Sequence, residues 1–184
     1  MRRSVLTLGA LCALAQAAVA ADRPHNIVLF VADGLRPGMV NENTAPAIAA
    51  LWKQGVHFTN THSMFPTFTT ANASAMATGH KLGDTGDFSN TIDAGFQVPG
   101  AGNSLTPFLE SDPVLADVDE HFAGDYLNQE TVMKAARQAG ISTATVGKLG
   151  PALIFDHTER SGGQTVTIDD MTGRAGGVPL SAEV

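Results

Sequence analysis

Residues 27–32 read Ile-Val-Leu-Phe-Val-Ala, an apolar run without alternation, followed directly by Asp33 and Gly34. A strand with one wet face alternates apolar and polar residues. A continuous run closed by turn residues suits a strand buried on both faces, as in a parallel sheet. The rest of the chain reads in keeping with that. Thr44 to Gln54 predicts a helix, with Thr44 as its cap, Pro46 in its first turn and Gly55 as its stop. Val56 to His62 reads as a short strand. Thr70 to Thr78 reads as an alanine-rich helix ended by Gly79, and Gly83 to Gly102 as a loop. Asn128 to Ala139 is an amphipathic helix closed by Gly140, followed by a β-branched strand, Ile141 to Val146. Thr165 to Ile168 reads as a hairpin strand, and Met171 to Val184 as a loop tail. The order predicts an α/β fold with a largely parallel sheet.

The N-terminus reads differently from the rest. Arg2 and Arg3 precede an uncharged apolar stretch, Val5 to Val19, which ends in Ala18-Val19-Ala20 and the polar Ala21-Asp22-Arg23-Pro24. That is the pattern of a secretory signal peptide over residues 1–20, with an exported product in the periplasm or outside the cell. Its removal leaves 164 of the 184 residues, takes away the single cysteine, Cys12, and moves the net charge from −7 to −9. An exported domain without cysteine has no disulfides to lean on and depends on a packed core or a bound metal. No later apolar run is long enough to span a bilayer, so no membrane partner is expected after cleavage. The acidic balance argues against binding of nucleic-acid polymers.

Two positions carry candidate chemistry. Asp33 follows the first strand, and ligands of open α/β sheets bind beyond the carboxyl ends of strands. A carboxylate there can hold a metal; it can equally make an Asx-turn or cap a helix. The second is Pro66-Thr67-Phe68-Thr69-Thr70-Ala71-Asn72, where threonines stand at a helix entrance. Unpaired N–H groups and the helix dipole favour an anion such as phosphate there. A threonine hydroxyl in that place can be a nucleophile if a metal activates it, and Thr69 or Thr70 can also serve as a plain N-cap.

Taken together, Val31-Ala32-Asp33-Gly34, Pro66-Thr67-Phe68-Thr69, Thr78-Gly79 and Asp87-Phe88-Ser89-Asn90 resemble the alkaline phosphatase superfamily, in its type I phosphodiesterase/nucleotide pyrophosphatase branch. Thr69 lies 36 residues after Asp33, and Asn90 lies 21 after Thr69, separations that suit the family pattern. The resemblance implies a three-layer αβα sandwich. It implies that Asp33 ligates one of two zinc ions and that Thr69 is both metal ligand and nucleophile, passing through a phospho-threonine. It makes Asn90 a hydrogen-bond donor to a non-bridging phosphoryl oxygen. The substrate it implies is a small phosphate ester or nucleotide.

The pattern also departs from the family. The sulfatase C/S-x-P-x-R segment is absent, and Thr69 stands where classical alkaline phosphatases have serine. Ala71-Asn72-Ala73 replaces the frequent P-N-H, and Thr85 replaces a histidine of the following loop. Two zinc ions need about six protein ligands, most of which the family draws from a second half. Asp117 and His121 match D-x-x-x-H, and Asp156-His157 matches D-H, but both fall too early and read as coincidental. His25, His57, His62 and His80 read as surface or packing residues. Residues 21–184 therefore read as the N-terminal part of a catalytic domain, with an exposed sheet edge and an uncovered apolar face expected. Two other readings stay open: a phosphomonoesterase or phosphonate hydrolase of the same superfamily, and a secreted fragment without catalysis.

Overall fold

The computed structural model describes residues 26–182, so the signal-peptide reading of residues 1–20 and His25 lie outside the described residues. The chain divides into two compact units, Met1–Ala49 and Ala50–Val184.

In the first unit, residues 27–32 do not form the expected strand. They pair with no strand among the described residues, and Ile27, Val28 and Phe30 are 89%, 89% and 77% exposed. An extended segment without a ladder leaves its backbone groups to water, whatever its side chains prefer. Asp33 and Gly34 form a turn in which the Leu35 N–H donates to the Ala32 carbonyl at 3.2 Å. Gly34, at φ +76°, supplies a left-handed conformation there. A 3₁₀ turn at Pro37–Met39 follows. Helix α1, Pro46–Gln54, forms as expected and runs across the boundary at Ala49. The approach to it is shaped by Asn41, whose Oδ1 accepts the Asn43 and Thr44 N–H groups at 3.0 and 3.1 Å.

In the second unit, the expected strand over 56–62 is also irregular and exposed. Helix α2, Thr69–Thr78, begins one residue before the expected Thr70. Gly79, left-handed at φ +72°, ends it by donating to the Ala75 carbonyl. Helix α3, Leu82–Thr85, overlaps the start of the stretch read as loop. Helix α4, Asp112–His121, is an element the sequence reading did not place. Its Pro113 sits in the first turn, and Val114, Leu115 and Val118 form a face at most 3% exposed. Helix α5, Val132–Gln138, starts later than expected because Thr131 caps it, accepting the Lys134 N–H at 3.2 Å.

Strand β1, Thr143–Val146, and strand β2, Thr165–Ile168, pair in parallel from Thr143↔Thr165 to Val146↔Ile168. The hairpin expectation for β2 is thereby corrected. A parallel pair needs a crossover, and here it carries helix α6, Pro151–Ile154. The fold is thus a mixed α/β arrangement with a small parallel sheet, the partial form of the expected sandwich.

The sheet buries its threonines. Thr143 and Thr165 share a hydroxyl hydrogen bond of 2.5 Å, and Thr145 donates to the Ala152 carbonyl at 2.6 Å. Thr165 also donates to Asp156, which Arg137 grips with Nε and Nη2 at 2.7 and 2.8 Å. The apolar core lies among the helices instead, where Ala73 and Ala77 of α2, Leu115 and Val118 of α4, and Leu153 and Ile154 of α6 cluster. Small residues on α2 allow it to pack closely on α6. Gly150, at φ +85°, makes the entry to α6 possible: a Cβ there would lie 2.5 Å from the Glu110 Cα. The tail is not a free loop, since Val178 is 4% exposed and belongs to the core.

Candidate active site

The site is built around the start of α2. Residues 64–68 lead into the helix through a cis Phe65–Pro66 peptide. Asn72 holds this approach in place. Its Oδ1 accepts the Met64 N–H at 2.8 Å, and its Nδ2 donates to the Phe68 carbonyl at 2.9 Å. The Asn72 of the Pro66–Asn72 motif thus shapes the segment that presents the threonines.

Phe68, at the cap position, is extended and gives the helix no side-chain cap. The cap comes from another loop. Asn90 Oδ1 accepts the Thr70 N–H at 2.9 Å and the Thr70 hydroxyl at 3.2 Å. The Asn90 main chain is fixed in turn, as its carbonyl accepts the Leu109 N–H at 2.8 Å and Thr91 bridges Phe108. These bonds commit the carbonyl end of the Asn90 amide to Thr70 and make its NH2 the end that donates elsewhere.

The two threonines therefore divide their work. Thr70 is fully buried and bonded to Asn90 and, at 3.3 Å, to Asp87. Thr69 is half-buried on the first turn of α2, next to the residue Asn90 holds. The structure thus brings Thr69 and Asn90 to one helix terminus, where the dipole favours negative charge. Asp33 belongs to the other unit, on its exposed turn.

Beneath the helix start lies a buried carboxylate that the sequence reading did not single out. Asp87 is 1% exposed and accepts hydroxyl hydrogen bonds of 2.6 Å each from Ser74 and Tyr126. Burial raises its pKa above the ordinary value, although the Ser74, Tyr126 and Thr70 hydroxyls pull the other way. Burial and the facing Asp87 likewise raise the Tyr126 phenol. These three residues are far apart in sequence, and no local spacing signals their convergence.

The four residues read as coincidental ligand matches are all engaged in other contacts. Asp117 accepts the Gly100 N–H. His121 stacks on Phe96 with ring centroids 3.6 Å apart. Asp156 is held by Arg137, and His157 Nδ1 is 2.8 Å from Asp119 Oδ1. Burial works to raise the Asp119 carboxyl, but His157, the Tyr126 N–H and Arg160 outweigh it and lower its pKa. The other described histidines take packing or loop roles: His57 stacks on Trp52, His62 meets Asn60 Oδ1, and His80 meets the Thr78 carbonyl.

Among the described residues, no three His, Cys, Asp or Glu side chains converge as a metal site. Asp33 and Thr69 offer one carboxylate and one hydroxyl. A catalytic zinc takes about three protein ligands, so this donor set does not fit a two-zinc centre by itself.

The chain is a member of the type I phosphodiesterase / nucleotide pyrophosphatase family, which it matches over residues 27–173. Comparison with curated proteins and with solved structures finds no match. No helix among the described residues is long and apolar enough to cross a membrane.

Proposed function

We propose that the protein hydrolyses phosphodiesters or nucleotide pyrophosphates, with Thr69 as the nucleophile. The observation that carries this reading is the first turn of α2. There Thr69 stands half-buried while Thr70 and Asn90 fix the backbone around it. Family membership supports the reaction class. Thr69 Oγ1 forms a bond to phosphorus, the bond to the leaving oxygen breaks, and the hydroxyl proton passes to solvent. Water then attacks the phospho-threonine and restores the hydroxyl. The Asn90 NH2 and the N–H groups of the helix start stabilise the equatorial oxygens as charge builds on them.

On the family resemblance, Asp33 of the first unit and Thr69 of the second are each carried into the proposal as a candidate metal donor, with zinc as the expected ion. Two donors fall short of a zinc site, and the D-x-x-x-H and D-H matches are engaged elsewhere. No step of the reaction is therefore assigned to a metal. Export through residues 1–20 completes the reading. N-terminal sequencing of the secreted product is expected to start at Ala21.

The reading is tested with bis(p-nitrophenyl) phosphate and p-nitrophenyl phosphate as substrates. The diester is expected to turn over faster; preference for the monoester favours a phosphomonoesterase. Thr69→Ala is expected to lose at least about 10³-fold in kcat, as loss of a nucleophile does. Full activity in that variant sinks the assignment. Asn90→Asp keeps an acceptor for the Thr70 N–H but loses the donor, with an expected loss of about 10²-fold.

A further inference from the structure

Away from the start of α2, four carboxylate oxygens are buried with no hydrogen-bond partner among the described residues: Oε1 of Glu110, whose other oxygen pairs with Lys148, Oδ1 and Oδ2 of Asp112, and Oδ2 of Asp169. Asp112 is the first residue of α4 and only 2% exposed. Asp169 follows β2, and an Asx-turn fixes its direction, with Oδ1 accepting the Met171 N–H at 2.8 Å. Pro113 and Met171, which stand beside and two residues beyond these carboxylates, both pack against Gly176, and the Asp169 carboxylate acts on Asp112 as a like-charged neighbour, with the Gly150 and Val178 amides close to Asp112 as well. Neither amide forms a well-directed hydrogen bond to it.

Asp112 lines a cavity of about 200 Å³ together with Ala116, Leu153, Arg160, Gly176 and Gly177. The Gly176–Gly177 turn closes tightly near the start of α4. A Cβ would lie 3.0 Å from Pro113 Cγ at Gly176 and 2.3 Å from the Met171 carbonyl oxygen at Gly177. The nearby cations are engaged elsewhere. Arg160 donates to Asp119 at 2.7 Å, and Lys148 pairs with Glu110. Burial, and then the facing Asp169, push the Asp112 carboxyl up to about 7. Two facing carboxylates, Asp112 buried and Asp169 half-buried, without a positive partner carry a desolvation and repulsion cost.

We infer that Asp112 and Asp169 bind a hard divalent cation, calcium or magnesium, which ties the start of α4 to the turn after β2. The donors are all oxygen, the preference of these ions, and magnesium in particular is held by one or two carboxylates with water completing its shell. One shared proton would bridge one pair of the Asp112 and Asp169 oxygens and leave the third without a partner. A cation draws on all three. The site is independent of Thr69 and of the hydrolytic reading.

The test uses the whole chain, treated with chelator and returned to neutral buffer. Thermal unfolding is followed against CaCl2 and MgCl2, with Tb³⁺ luminescence as a direct probe of binding. A saturable rise in Tm of several degrees is expected, lost in both Asp112→Asn and Asp169→Asn. Asp33→Asn removes the carboxylate proposed for the catalytic centre and is expected to keep the rise, so failure of one assignment is told from failure of the other. No divalent-dependent shift in the unaltered protein overturns the inference. So does a shift that survives in Asp112→Asn and Asp169→Asn, or stabilisation by acid alone with indifference to both cations, which identifies a shared proton. Should the variants fail to fold, the Tb³⁺ titration of the unaltered protein decides, and absence of sensitised luminescence overturns the site.

Discussion

Residues 27–31 and helix α2 reverse the usual expectation of what is buried. The first is continuously apolar, yet Phe30 is 77% exposed. The second is built of alanine, threonine and serine, yet Ala71, Ala77 and Thr70 are 0% exposed. The difference lies in the backbone. A helix satisfies its own N–H and C=O groups and can be buried wherever its side chains are small enough to pack. A strand is buried only where neighbours complete its ladder. Side-chain hydrophobicity proposes burial, and main-chain hydrogen bonding decides it.

The contrast can be pressed by mutation. The largest effect is expected at Arg137, the partner that compensates the buried Asp156 beneath the sheet. Arg137→Met leaves that carboxylate uncompensated and is expected to cost about 3–5 kcal/mol in urea unfolding. Next comes Ala77→Leu on α2, which overpacks the core and is expected to cost about 1–3 kcal/mol. Tyr126→Phe removes one donor from Asp87, for a loss of about 1 kcal/mol.

The Tyr126→Phe loss is expected to depend on pH. The raised pKa of Asp87 means that the folded state holds its proton more tightly than the unfolded chain. Its contribution is complete below the ordinary carboxylate range and declines as pH rises through the folded value. Removing the Tyr126 hydroxyl raises that value further, so the cost should grow from pH 4 to pH 7. A flat difference in unfolding free energy across that range would exclude Asp87 as the source. The smallest effect is expected at Phe30→Ser, within about 0.5 kcal/mol. A cost comparable to that of Ala77→Leu would show Phe30 to be buried in solution and break the comparison.

Much of the helical structure was legible in the sequence. Capping residues and glycine stops placed α1, α2 and α5 because those signals act within a few residues. Helix α4 was equally legible through Pro113, Val114, Leu115 and Val118, but its acidic run obscured the apolar face. The strands were harder. Residues 27–32 and 56–62 have strand-like composition, but pairing is a property of two segments at once. The direction of β2 depended on α6, a helix of one turn hidden in the crossover. At the site, the motif located Thr69 and Asn90 and put them at a helix entrance. It did not reveal that Asn90 is the cap of α2, nor that Asp87 gathers Ser74 and Tyr126, because those contacts span 20, 13 and 39 residues.

The Asp87 cluster has a spectroscopic consequence. Hydroxyl protons on a protein surface exchange with water too quickly to be seen individually. Those of Ser74 and Tyr126 are sealed in a residue shell and directed at a single carboxylate oxygen. They should therefore give persistent, downfield proton resonances in the folded protein. Such signals would report on the floor of the α2 terminus without any substrate or label, and would vanish on local opening well before the helix itself unwinds.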